Sequence, residues 1–126
     1  MFTLLAREVA RVPPDTFLPE FELYVLLAIL RLGPEAYGAA IARELDSTAN
    51  RPVSIGALYA TLGRLSDKGY VVSHVSKPLP IQGGRSRKHY TLTGTGNAAV
   101  EHSARKLRRM MEGIALLDPK ASGADR

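Results

Sequence analysis

The sequence predicts a mainly α, α+β domain in which helices carry one small β-hairpin. Three observations predict it. Apolar residues recur at helical spacing in three successive segments before residue 69. The period then switches to two on both sides of a Pro- and Gly-rich stretch, residues 77–86. Helical period returns after Thr93. At 126 residues the chain is the length of one domain.

The first helix is expected from Pro19, with Glu20 and Glu22 where a helix N-terminus favours negative charge, to Gly33-Pro34. Residues 23–30 are apolar all round, so this helix needs cover on two sides, from its own core and from a second subunit. A second helix spans residues 36–49, with Tyr37, Ile41 and Leu45 on one stripe and Arg43, Glu44 and Asp46 facing away. Ser54 caps a third helix, residues 55–68, which Gly69 stops in the left-handed cap position. Its stripe of Ile55, Leu58, Tyr59, Leu62 and Leu65 reads as core. The other face carries Gly56, Ala60, Gly63 and Arg64, with Thr61 and Lys68 at its margins, and its small residues admit close approach of a partner to the backbone.

Residues 70–75 and 87–92 read as the two strands, joined by a long basic tip. Thr93 caps a last helix in which Val100, Ala104, Leu107, Met111 and Ile114 keep a 4-3-4-3 spacing, the pattern of a helix seam, until Asp118-Pro119. Three turns are short for an autonomous coiled coil, so the first helix is its expected neighbour, within or across subunits. The domain boundaries that follow are an N-terminal extension at 1–18, a core domain at 19–93, a C-terminal helix at 94–117 and a flexible tail at 118–126.

Composition removes several functions. With no cysteine, disulfides, thiolate zinc sites, iron–sulfur clusters and cysteine nucleophiles are excluded. His74, His89 and His102 match no short metal-ligand spacing, so no metal and no cofactor is expected. The longest apolar run, eight residues, is far short of the roughly 20 that span a bilayer. The N-terminus lacks the basic and apolar regions of a secretory signal, and cytoplasmic residence is expected. No His/carboxylate pair at helical spacing and no phosphate-binding glycine loop opens a helix, which argues against an enzyme.

Charge supplies the positive clue. The chain carries 17 Lys and Arg against 12 Asp and Glu, a net +5. Between residues 51 and 90 there are seven basic residues and one acidic, Asp67, so the whole excess sits in the third helix and the hairpin. A localised basic surface is the footprint of a polyanion partner. Helix, helix, helix, strand, basic hairpin, strand is also the order of a winged helix-turn-helix, in which the third helix enters the major groove and the hairpin touches the flanking backbone or minor groove. The alternative is a winged-helix protein-interaction module without DNA binding.

Two strings carry a family resemblance: Ser-x-Gly-x-Leu-Tyr-x-x-Leu-x-x-Leu from Ser54, and Gly-Arg-x-Arg-Lys-x-Tyr-x-Leu-Thr from Gly84. With Tyr37-Gly38 they resemble the PadR family of bacterial transcription regulators over residues 20–117, and the single last helix is similar to its smaller subfamily. The resemblance implies a homodimer, joined through the first and last helices, that represses a nearby promoter and is released by a small molecule. Family members often carry Thr where Ala57 stands and Pro where Ala60 stands.

The expected partner is therefore double-stranded DNA with a palindromic operator. Its candidate contacts are Ser54, Gly56, Tyr59, Thr61, Arg64 and Lys68 of the third helix, and Lys77, Gln82, Arg85, Arg87 and Lys88 of the wing. Ser54 would offer its hydroxyl or N–H to a phosphate. Tyr59 reaches the DNA backbone if the resemblance holds, and Arg64 reaches either a phosphate or a guanine edge. Strand alternation puts Arg85 and Arg87 on one face and Lys88 on the other. Arg105, Lys106, Arg108 and Arg109 read as the solvated side of the last helix. Candidate dimer contacts are Leu23, Leu26, Leu27, Leu30, Val100, Ala104, Leu107, Met111 and Ile114. An apolar effector would lie against Leu107, Met110 and Met111, residues that plain dimer packing also explains.

Overall fold

The computed structural model describes residues 18–76 and 87–118. Helix α1, Glu20–Leu32, begins after Pro19 and ends where Gly33 takes φ 59, followed by the 3-10 turn Gly33–Glu35. Helix α2, Gly38–Ala49, is entered from extended Tyr37 and closed by Asn50 at φ 52, a left-handed conformation asparagine tolerates. Helix α3, Ile55–Asp67, starts at Ser54, whose Oγ accepts the Ala57 N–H at 3.1 Å. Gly69, at φ 80, turns the chain into strand β1, Val71–Val75.

Strand β1 pairs antiparallel with β2, Lys88–Leu92, in the register Val71 to Leu92, Ser73 to Tyr90 and Val75 to Lys88. Thr93 then joins three elements. Its hydroxyl donates to the Gly69 carbonyl at 2.6 Å and accepts the Gly96 N–H at 3.0 Å, capping helix α4, Gly94–Met111. One core holds the whole together: Val25, Leu26 and Ile29 of α1, Ile41 and Leu45 of α2, Leu58, Leu62 and Leu65 of α3, Tyr70, Val71, Tyr90 and Leu92 of the hairpin base, and Ala99 and Val100 of α4.

The structure corrects the expected stripe of the third helix. Leu58, Leu62 and Leu65 are buried, but Ile55 is 50% and Tyr59 43% exposed, and Thr61 takes the vacated core position at 2%. The buried set follows i, i+3, i+4 and i+7 from Leu58 rather than from Ile55, which rotates the helix about its axis relative to the expected orientation. Burial of Thr61 is tolerated because its hydroxyl donates to the Ala57 carbonyl at 3.1 Å. The last helix also ends earlier than expected, at Met111. Gly113 adopts φ 80, and Ala115–Leu117 forms a separate 3-10 turn, so Ile114 does not continue the helical seam.

The dimer candidates divide in the same way. Leu23, Leu26 and Val100 are buried in the chain's own core, and Ala104 is half-buried. Leu27, Leu30, Leu107, Met111 and Ile114 remain exposed, along with Met110, Leu116 and Leu117. The N-terminal extension up to residue 17, the tail from residue 119 and the wing candidates Lys77, Gln82 and Arg85 lie outside the described residues.

Candidate nucleic-acid interface

The outward side of α3 presents Gly56, Tyr59, Ala60 and Gly63, flanked by Ile55, Ala57 and Arg64, all exposed. A Cβ added at Gly56 or Gly63 would meet nothing within 4 Å, so the chain's own packing does not require glycine at either. Tyr59 leans back over the start of α2: a Cβ on Gly38 would collide with its hydroxyl, which accounts for a small residue in the Tyr37-Gly38 pair.

Tyr59 also borders Tyr90 of β2, and burial together with the nearby Tyr59 phenol raises the Tyr90 pKa above the ordinary tyrosine value of about 10. A raised acid pKa in the folded state leaves stability intact below pH about 10 and lowers it as pH rises further, because the unfolded chain ionises first. Tyr90→Phe is therefore expected to flatten that alkaline limb, read by chemical denaturation at a series of pH values between about 9 and 11.

The cations of α3 and its C-cap, Arg64 and Lys68, lie along the helix flank. Lys68 Nζ donates to Glu22 Oε1 at 2.7 Å, and Arg64 Nε to Glu22 Oε2 at 3.4 Å. Arg64 Nη2 adds a bond to the buried Thr61 hydroxyl at 2.9 Å. Thr61 itself is buried, with its hydroxyl bonded to Ala57 and Arg64, so its expected DNA contact is withdrawn.

At the base of the wing, the Arg87 guanidinium lies 4.4 Å from the centre of the Tyr37 ring. His89 meets the same ring edge-on at 5.8 Å and stacks on His74 at 5.8 Å, with its Nδ1 at 3.1 Å from the Pro34 carbonyl. Ser76 closes this end of the ladder, donating its N–H to the Arg87 carbonyl at 2.9 Å. Arg87 thus shares a face with His89, and Lys88 projects on the opposite face in line with Tyr90 and Leu92. The wing's orientation is tied to the helices by a backbone bond as well, from Tyr90 N–H to the Ala36 carbonyl at 2.9 Å.

Arg51 belongs to none of the sequence motifs above. It stands exposed in the turn between α2 and α3, its guanidinium 4.6 Å over the Phe21 ring, on the approach to the α3 N-terminus. Its only sequence signal was its place in the basic stretch. Arg105, Lys106, Arg108 and Arg109 are exposed on α4. A surface depression of about 470 Å³ lies between α1 and α2, lined by Leu32, Ala40, Arg43, Glu44, Asp46 and Ser47. The effector candidates Leu107, Met110 and Met111 take no part in it. In its wall the Glu44 carboxyl is held below the usual carboxylate range by the Thr48 hydroxyl and the Arg31 guanidinium.

The fold, a three-helix unit with a two-stranded wing, is shared with known proteins. The model of the transcriptional regulator PadR-like family matches residues 26–102. The chain belongs to the PadR-like family. A transcriptional regulator of Mycobacterium tuberculosis is 37% identical over 76 residues, a match covering 60% of this chain and 66% of that regulator. A PadR-like transcription factor from Bacteroides fragilis superimposes with a TM-score of 0.56 at 26% identity, covering 76% of this chain and 89% of that one. A PadR family regulator from Clostridium difficile does so with a TM-score of 0.55 at 26% identity, over 71% of this chain and 91% of the other. Membership makes this PadR-like chain a transcriptional regulator of the DNA-binding kind and gives the winged helix-turn-helix its place. Among the described residues no helix is long and apolar enough to cross a membrane.

Proposed function

We propose that this PadR-like chain is a homodimeric repressor that binds a palindromic operator near the promoter it controls and leaves it when an apolar small molecule binds. The observation that carries the reading is the exposed outer face of α3 lying beside a wing that bears Arg87 and Lys88, in the one stretch of the chain that holds its excess positive charge. In this reading α3 enters the major groove. Ser54 and the α3 N-terminus meet a phosphate, Gly56 admits the backbone, and Tyr59 reaches the sugar–phosphate chain. Arg87 and Lys88, with the expected contacts Lys77, Gln82 and Arg85, meet the flanking duplex.

The exposed apolar set of Leu27, Leu30, Leu107, Met110, Met111 and Ile114 supports self-association through α1 and α4. Two α3 helices about 34 to 36 Å apart then match half-sites one helical turn apart. The effector would enter between the last helices beside Leu107, Met110 and Met111.

The test is a titration of the protein against its own upstream DNA and a scrambled duplex of equal length, across a range of salt. With roughly six phosphate contacts per complex, log K against log salt should fall with a slope near −5, and the native duplex should bind more tightly. A slope near −1 would remove the wing and helix roles. Absence of binding to any duplex would favour the protein-interaction module.

A further inference from the structure

Glu22 is a buried charged residue that this reading leaves unused. It sits in the first turn of α1 and is 5% exposed, a burial that a carboxylate accepts only with partners. Its partners are the two basic side chains of α3 and its C-cap, Arg64 and Lys68, one on each carboxylate oxygen. Arg64 is the single arginine of α3, and the Thr61 hydroxyl holds its guanidinium from a second side. Reading a guanine needs that planar fork free and pointing at the base edge. Here it is turned back along the helix flank toward α1.

What remains on the exposed side of α3 toward its N-terminus is Ile55, Gly56, Ala57, Tyr59 and Ala60, a surface with no amide and no guanidinium. Apolar side chains discriminate bases in the major groove chiefly through the thymine methyl group.

We infer that Glu22 is a positioning residue of the DNA interface: it withholds Arg64 and Lys68 from the bases, so that Ile55, Ala57 and Ala60 select sequence through thymine methyl groups. This inference rests on the DNA-binding reading above. Both cations stay partly exposed, their side chains 56% and 39% accessible, while the carboxylate between them is buried, so it is the pairing that turns them from the outward face, and the trio carries one net positive charge instead of two.

The test begins with duplexes selected from a random pool by the wild-type protein. In the selected site, replacing thymine by uracil removes the methyl group alone and should weaken wild-type binding about fourfold for each contacted methyl. Arg64→Gln should leave the selected sequence unchanged. Glu22→Gln should bind random duplex more tightly, steepen the salt dependence by about one to two phosphate contacts, and shift the selected sequence toward guanine, and adding Arg64→Gln to it should reverse that shift. Equal binding of thymine and uracil duplexes, or a loss of sequence preference in Arg64→Gln, would overturn the inference even if Glu22→Gln failed to fold. If the wild-type protein selected no duplex, the DNA-binding reading itself would fall.

Discussion

Leu58→Ala is expected to cost about 2–5 kcal/mol of stability, and Ile55→Ala, three residues earlier on the same helix, less than about 0.5 kcal/mol. Leu58 is fully buried at the centre of the core, against α1 and α2, so truncation leaves a cavity and forfeits its apolar contacts. Ile55 is half exposed, and alanine's better helix propensity offsets the little burial it loses. A domain of this size has roughly 5–15 kcal/mol to lose, so Leu58→Ala removes a large fraction of it. Urea denaturation at one fixed protein concentration reads both: a lower midpoint with an unchanged slope for Leu58→Ala, and no shift for Ile55→Ala. The signs reverse for DNA. Ile55→Ala should weaken duplex binding in a protein that is otherwise intact, which separates a packing residue from an interface residue on one helix.

Gly96→Ala is the second large effect, about 1–3 kcal/mol of destabilisation. A Cβ there would overlap the Tyr70 carbonyl oxygen and come within 3.0 Å of its carbon and 3.2 Å of its Cα, all of them backbone atoms. That carbonyl is already fixed, because it accepts the Thr93 N–H at 3.0 Å. Accommodating a methyl therefore means separating α4 from the root of the hairpin and loosening the joint that Thr93 makes. Gly63→Ala is the control. It meets open space, and it should stabilise α3 by about 0.5–1 kcal/mol through helix propensity alone. If the helix backbone approaches a duplex closely there, the same methyl should lower DNA affinity. Thermal melts of the two variants beside the wild-type protein should move in opposite directions.

Most of the secondary structure was legible because its signals are local. Ser54 and Thr93 cap the helices expected of them, and Gly69 makes the left-handed turn expected of it. The change of period from helical to alternating marks the hairpin within a residue at either strand. The end of α4 departs from the expected one for a related reason: Leu107, Met111 and Ile114 keep a seam's spacing, but Gly113 breaks the helix between the last two. An apolar spacing says which residues would share a face if the helix continued, and it does not make the helix continue.

By itself the sequence determined that this chain is a three-helix unit with a basic wing and a further helix, and that the positive charge lies on α3 and the hairpin. Those properties follow from caps, turn residues, periodicity and charge, each set by neighbours a few residues away. Only the tertiary structure decided how α3 is rotated. Apolar residues occur on both sides of the Leu58 stripe, so Ile55 and Tyr59 satisfied the helical period as well as the core did, and the position of α1 and α2 settled that Thr61 goes inside instead. It also decided what the basic residues do. Glu22 stands 42 residues from Arg64 and 46 from Lys68, a separation over which no local pattern can signal a contact, and it is packing of α1 against α3 that brings the carboxylate under both cations.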